Sequence, residues 1–233
     1  MIALIMSIPL VCIHLAQGYG DINLLQYFLL SAACLGMWTE SRHHRRHRWL
    51  VLSGIFVAAS VWTKSEGIVF GLVPWLLTVG AMCRRKTEWK SALPAIAVTI
   101  LIAAPWPIFA MLKGLSLTPH SSDTMIAFHS EGVKEAFHGM LGRGSFGTTW
   151  YALLVLVPLL LVAAWKKNDV VIRTYLPLLL WGSTMILEIL FIYLATPNVR
   201  FLMNAESFYR QMMIPAAMIV TASAFIVRPR KSY

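Results

Sequence analysis

Eight apolar runs alternate with polar connections along the chain: 1–17, 22–39, 49–62, 67–83, 91–112, 149–165, 174–195 and 211–227. A helix needs about 20 apolar residues, within a range of about 17–25, to cross the hydrocarbon layer. Most of the runs meet that length; 49–62 is short and must borrow from its flanks. None alternates with the period of two that marks a half-buried strand. Inside lipid a backbone must satisfy its own hydrogen bonds, which leaves helices as the solution. The pattern predicts an all-α, polytopic transmembrane bundle of about eight spans, one membrane domain over 1–233.

Composition agrees. The chain has 233 residues, 58% hydrophobic and only 13% charged, against about 45–50% and about 25% for a soluble domain. So much apolar surface excludes a soluble globular domain, and excludes disorder, which needs low hydrophobicity. The 11 Pro and 14 Gly are scattered, which excludes a fibrous repeat. Cys12, Cys34 and Cys83 lie in or beside apolar runs, without metal-ligand spacing or a polar loop to carry a disulfide.

A net charge of +10 would suit nucleic acid in a soluble protein, but here its distribution matters more. Ser41–Arg48, Arg84–Lys90, Lys166–Arg173 and Arg228–Lys231 hold 14 of the 20 Lys and Arg. The alternate connections hold the other six, Lys64, Lys113, Lys134, Arg143, Arg200 and Arg210. Lys and Arg collect on the cytoplasmic side, so the rich set is expected inside, with both termini, in a plasma (inner) membrane. His43, His44 and His47 sit among four arginines, whose repulsion disfavours a metal; that run reads as a cytoplasmic anchor. The opening Met1–Ile5 lacks a basic signal-peptide region. A chain starting inside an apolar helix is expected to have lost an upstream part.

The outer connections carry the candidate chemistry. Gly18–Asn23 is a tight turn whose Asp21 reads as a turn-former or helix cap, with a functional carboxylate as the other reading. In Trp62–Gly67, Lys64 and Glu66 lie at the membrane boundary with little loop to solvate them. They read either as a snorkelling Lys beside a capping Glu or as fixed charge at the mouth of a cavity suited to a lipid-linked phosphate. The long external loop 113–149 holds an amphipathic stretch after Ser130, with Val133, Ala136, Phe137, Met140 and Leu141 at helical spacing and Gly142 as a stop. It predicts a short interfacial helix docked on the bundle. Its His129, Glu131, Glu135 and His138 read as a solvated face. The last outer connection brings Arg200, Glu206 and Arg210 to the same side; arginine forks suit phosphate, and Arg210 equally suits an interfacial anchor.

Two features fall within spans. Glu188 lies about 10 Å below the outer end of its helix at about 1.5 Å per residue; an intramembrane carboxylate suggests function unless a local hydrogen bond suffices. Pro105 and Pro107 should kink or unwind the outer half of the fifth helix and open a cavity there.

Gly18-Tyr-Gly-Asp21, Trp62-Thr-Lys-Ser-Glu-Gly67 and Ala104-Pro-Trp-Pro107, in that order, resemble the polyprenyl-phosphate-sugar glycosyltransferases of the GT-C superfamily, which include protein mannosyltransferase-like and lipopolysaccharide-modifying membrane enzymes. The resemblance covers most of the chain by order of elements. It implies transfer of a sugar from a polyprenyl-phosphate-linked donor to an acceptor hydroxyl at the outer face, with membrane lipids around the site. That chemistry needs a carboxylate base, and cationic side chains or a divalent cation for the departing phosphate. By resemblance, Asp21 lies on the acceptor or ion side, Lys64 contacts the donor phosphate with Glu66 beside it, and Arg200 or Arg210 adds phosphate contacts. The family's main acid precedes the Gly-Tyr-x-Asp turn, in an external loop that has no counterpart here. The expectation is a C-terminal portion of such a domain, lacking about two helices and the main base, or completed by a partner chain. A non-catalytic membrane subunit or carrier of lipid-linked sugar is the alternative. A transporter is disfavoured, since no inverted repeat of broken helices is evident.

Overall fold

The computed structural model describes residues 20–40, 46–83, 86–115, 128–142, 150–151, 158, 169–196 and 206–227. The described residues are helical, without a strand. Helix α1 is Gly20–Glu40, α2 is Arg46–Thr63, and a π-helical turn Gly67–Leu72 runs into α3, Val73–Met82. Then come α4 (Lys86–Ala103), α5 (Pro105–Leu112), α6 (Ser130–Gly142), α7 (Asp169–Ala195) and α8 (Glu206–Val227). Six of the eight apolar runs coincide with these helices. The runs 1–17 and 149–165 lie essentially outside the described residues.

The described residues support fewer than the eight spans expected. Among the described residues, three stretches are long and apolar enough to cross a membrane, Gly20–Thr39, Glu88–Leu112 and Pro177–Ala195. Gly67–Met82 is apolar but shorter. Helix α2 reaches 18 residues only by starting inside the basic run at Arg46, so charged residues dilute its apolar length.

The core is built where α1, α2, α3, α7 and α8 meet. Phe28, Leu35, Trp38, Trp75, Trp181, Met185 and Phe208 are fully buried there. Small residues let the backbones close in. A Cβ on Gly54 of α2 would overlap Thr99 Oγ1 of α4, and one on Gly182 of α7 would stand 2.9 Å from Ile219 of α8. Several polar groups within this apolar packing are joined to one another. Ser31 and Ser53 face each other at 2.7 Å between hydroxyls, and Trp75 Nε1 donates to Ser53 Oγ at 2.9 Å. Such pairing avoids leaving a polar group unsatisfied away from water.

Pro105 and Pro107 break the fifth predicted helix at a single residue, Ala104, rather than unwinding its outer half. Helix α4 ends at Ala103 and α5 begins at once, with Ala104 N–H still bonded to Ile100 and Ile108 N–H to Ala104. Proline supplies no N–H and crowds the preceding turn, and Trp62 Nε1 donates to the Ile102 carbonyl beside the break at 2.8 Å. On both sides of the break, α4 and α5 present bare apolar side chains, with Leu101 75% and Leu112 81% exposed.

The amphipathic helix forms where predicted, turned relative to the predicted face. Gly132, Ala136 and Gly139 are its buried positions, while Phe137 is exposed. The cause is close docking: His129 N–H donates to the Leu194 carbonyl at 2.8 Å, and a Cβ on Gly139 would overlap the Tyr209 ring. Glycine permits an approach that a larger side chain would block.

Candidate functional site

One end of the bundle gathers the start of α1, the turn after α2, the ends of α4 and α7, the helix α6 and the start of α8. These are the ends that carry the connections poor in Lys and Arg.

At this end Lys64 lies between two carboxylates. Its Nζ is 2.8 Å from Asp21 Oδ1 and 3.2 Å from Glu66 Oε1. Arg210 Nη1 stands 3.9 Å from Asp21 Oδ2, an ion-pair separation rather than a hydrogen bond. Asp21 comes from the first turn of α1, where a carboxylate also complements the positive end of the helix dipole. Arg210 comes from the first turn and a half of α8. Lys64 and Glu66 stand in the turn, with Lys64 N–H closing the last turn of α2 on Ser60 and Gly67 N–H bonded to the Lys64 carbonyl. Three chain segments distant in sequence thus bring two cations and two carboxylates together.

Burial decides what the cluster costs. The Asp21 side chain is only 7% exposed, while Lys64 keeps 32% and Arg210 35%. A carboxylate so buried must be paired, and Lys64 with Arg210 does this. Burial acts to lower the Lys64 pKa; the hydrogen bond to Asp21 and the charges of Glu66 and Asp21 outweigh it and raise the net value. The ammonium is therefore fixed as a cation. It has three donors, two aimed at carboxylates, and the third has no protein partner among the described residues. The four formal charges cancel, so an arriving phosphate must compete with Asp21 and Glu66 for Lys64.

The Lys64 ammonium stands where a divalent ion would bridge Asp21 and Glu66, so the residues present do not fit a metal. No group of three or more His, Cys, Asp or Glu is placed to hold one among the described residues.

The remaining predicted residues divide. Arg200 lies outside the described residues. Pro105 and Pro107 shape the α4–α5 break and take no part in the cluster. Glu188 is half-buried in α7, and its Oε2 has no hydrogen-bond partner among the described residues. The Tyr193–Phe208 ring contact and the approach of Gly182 to Ile219 give the antiparallel register of α7 and α8, which sets Arg210 level with Phe191. Glu188 therefore lies about 4–5 Å deeper, three residues at about 1.5 Å each. No ion pair joins it to the cluster among the described residues.

The sequence reading overlooked the widened turn that follows Glu66. In Gly67–Leu72, Val73 N–H reaches back five residues to the Ile68 carbonyl. The Phe70 carbonyl would need the N–H of residue 74 in an α-helix, but residue 74 is proline. Its carbonyl instead accepts from Trp181 Nε1 of α7 at 2.9 Å, in a buried setting. The signal was available: Pro74 interrupts the apolar run 67–83.

No family model matches this sequence, and neither a characterised protein nor a solved structure matches it.

Proposed function

We propose that the chain is a polytopic membrane glycosyltransferase of the GT-C type, transferring a sugar from a polyprenyl-phosphate donor to an acceptor hydroxyl at the external face. In this reading all eight apolar runs span a plasma (inner) membrane, and both ends of the sequence face the cytoplasm. The observation that supports it is the meeting of Asp21, Lys64, Glu66 and Arg210 at the lip of an apolar bundle. Lys64 and Arg210 would take the donor phosphate and hold the charge it gains as the bond from the anomeric carbon to the phosphate oxygen breaks. As phosphate replaces a carboxylate beside Lys64, Asp21 is released towards the acceptor side. The main base of the reaction is assigned to no residue here.

A second reading, a non-catalytic subunit or carrier that holds lipid-linked sugar, is favoured by the cancellation of charge within the cluster. Purified chain in proteoliposomes, given a labelled polyprenyl-phosphate sugar with and without acceptor, separates the two. Transfer supports the enzyme; saturable binding without transfer supports the carrier; neither would reduce the cluster to a structural clamp. Lys64→Ala should weaken donor binding about tenfold or more, the loss of one charge-assisted hydrogen bond. Unchanged affinity would return Lys64 to a snorkelling role.

A further inference from the structure

We infer that Trp181 is a positioning residue for the ion cluster: by holding the Phe70 carbonyl it maintains the widened turn that aims Lys64, with Glu66 beside it, at Asp21. The inference deepens the transfer reading, and it is tested on Lys64 itself, without sugar or acceptor.

Pro74 sets the geometry of the turn. A proline inside a helix withholds an N–H from the carbonyl four residues earlier, and its ring crowds that carbonyl. Here the affected group is Phe70, and the turn opens to a five-residue hydrogen bond instead. A turn with one extra residue changes the rotational setting of everything before it relative to everything after it. After it stands Trp75, pinned to Ser53 at 2.9 Å. Before it stand Lys64 and Glu66, only one to three residues from Gly67. Returned to an α register, the segment would rotate by one position, about 100° at 3.6 residues per turn. Either Trp75 would leave Ser53 or Lys64 would leave Asp21.

Two contacts hold the turn open. Gly67 and Gly71 press on Ser60 so closely that a Cβ at Gly71 would lie 2.7 Å from its hydroxyl and 2.8 Å from the Phe28 ring. On the other side Trp181 Nε1 supplies the donor that Pro74 withholds, while its ring packs against Phe28 at 5.6 Å. Phe28 is seven residues along α1 from Asp21, so both partners of the Lys64 pair are tied to the same indole. The charged groups facing Lys64 among the described residues are Asp21 and Glu66, with Arg210 on the far oxygen of Asp21.

The test uses Trp181→Phe, which keeps an aromatic ring and removes the N–H, and the double variant Pro74→Ala with Trp181→Phe, which restores an in-helix N–H to Phe70. Each is compared with the unaltered chain in proteoliposomes at alkaline pH. The rate of Lys64 acylation by an amine-reactive ester is read by peptide mass spectrometry, with Lys134 on α6 as internal control. Loss of pairing lowers the amine pKa, and each unit lost raises the reactive fraction about tenfold. We expect Trp181→Phe to speed Lys64 acylation several-fold with Lys134 unchanged. The double variant should recover thermal stability yet keep Lys64 fast, because stability returns through a register that misaims the turn. An unchanged Lys64 rate in Trp181→Phe overturns the inference and leaves Trp181 a packing residue. If Trp181→Phe does not fold, the double variant decides: a fast Lys64 supports the inference and an unaltered rate overturns it. A chain that transfers no sugar can still give either result, so the two proposals fail separately.

Discussion

Lys64 illustrates how much of one residue's character comes from its neighbours. Residue type and position suggest a snorkelling cation, yet its ammonium is turned back onto Asp21 and Glu66. A mostly buried pair is worth more than the about 0.2–1 kcal/mol of an exposed one and less than the about 3–5 kcal/mol lost on breaking a fully buried one. Lys64→Met should therefore destabilise the fold by about 1–3 kcal/mol, read by thermal unfolding in detergent. The pH dependence has a definite sign. The folded pKa of Lys64 is raised above its ordinary 10.5, so the stability it contributes is complete below that pH. It is lost as the pH climbs through the folded value. The unaltered chain should lose melting temperature more steeply than Lys64→Met above about pH 10.5; parallel profiles would mean that the pairing does not persist in solution. Asp21, Lys64 and Glu66 were visible as candidates because charges beside apolar runs are conspicuous. Their mutual contact was not, since it depends on tertiary closure of α1 onto the α2 turn.

At the scale of elements, hydrophobic runs located most of the described helices because period and length suffice for that. Run 22–39 became Gly20–Glu40, and 174–195 became Asp169–Ala195. What the runs could not convey was how closely two helices approach, or which face of an amphipathic helix meets the bundle. Both are set by glycines opposed to particular side chains, as Gly139 is to Tyr209 and Gly54 to Thr99. Gly54→Ala should cost about 1–3 kcal/mol by overpacking. Thr99→Ala added to it should recover much of that loss, because the hydroxyl that is overlapped is gone. Additive losses in the double-mutant cycle would show that α2 and α4 do not touch there. The widened turn was legible only in part: Pro74 announces a defect in a helix, but only the fold shows that Trp181 repairs it.

For the whole molecule, the asymmetry of basic residues predicts which bundle end faces out; in the fold the starts of α1 and α8 and the α2 turn share one end. In a background without the native cysteines, His138→Cys should react with an impermeant maleimide in intact cells. His47→Cys and Lys90→Cys should react only after permeabilisation. Labelling of all three from one side would overturn the alternation. The long apolar stretch Glu88–Leu112 has a further consequence. It leans on α2 through Thr99 and through the Trp62 indole, and elsewhere shows little but hydrocarbon. In the proposed membrane setting, lipid tails would serve as its second wall. In a short-chain detergent this stretch should be the first to peel away, releasing the Ile102 carbonyl while the central five-helix packing stays intact.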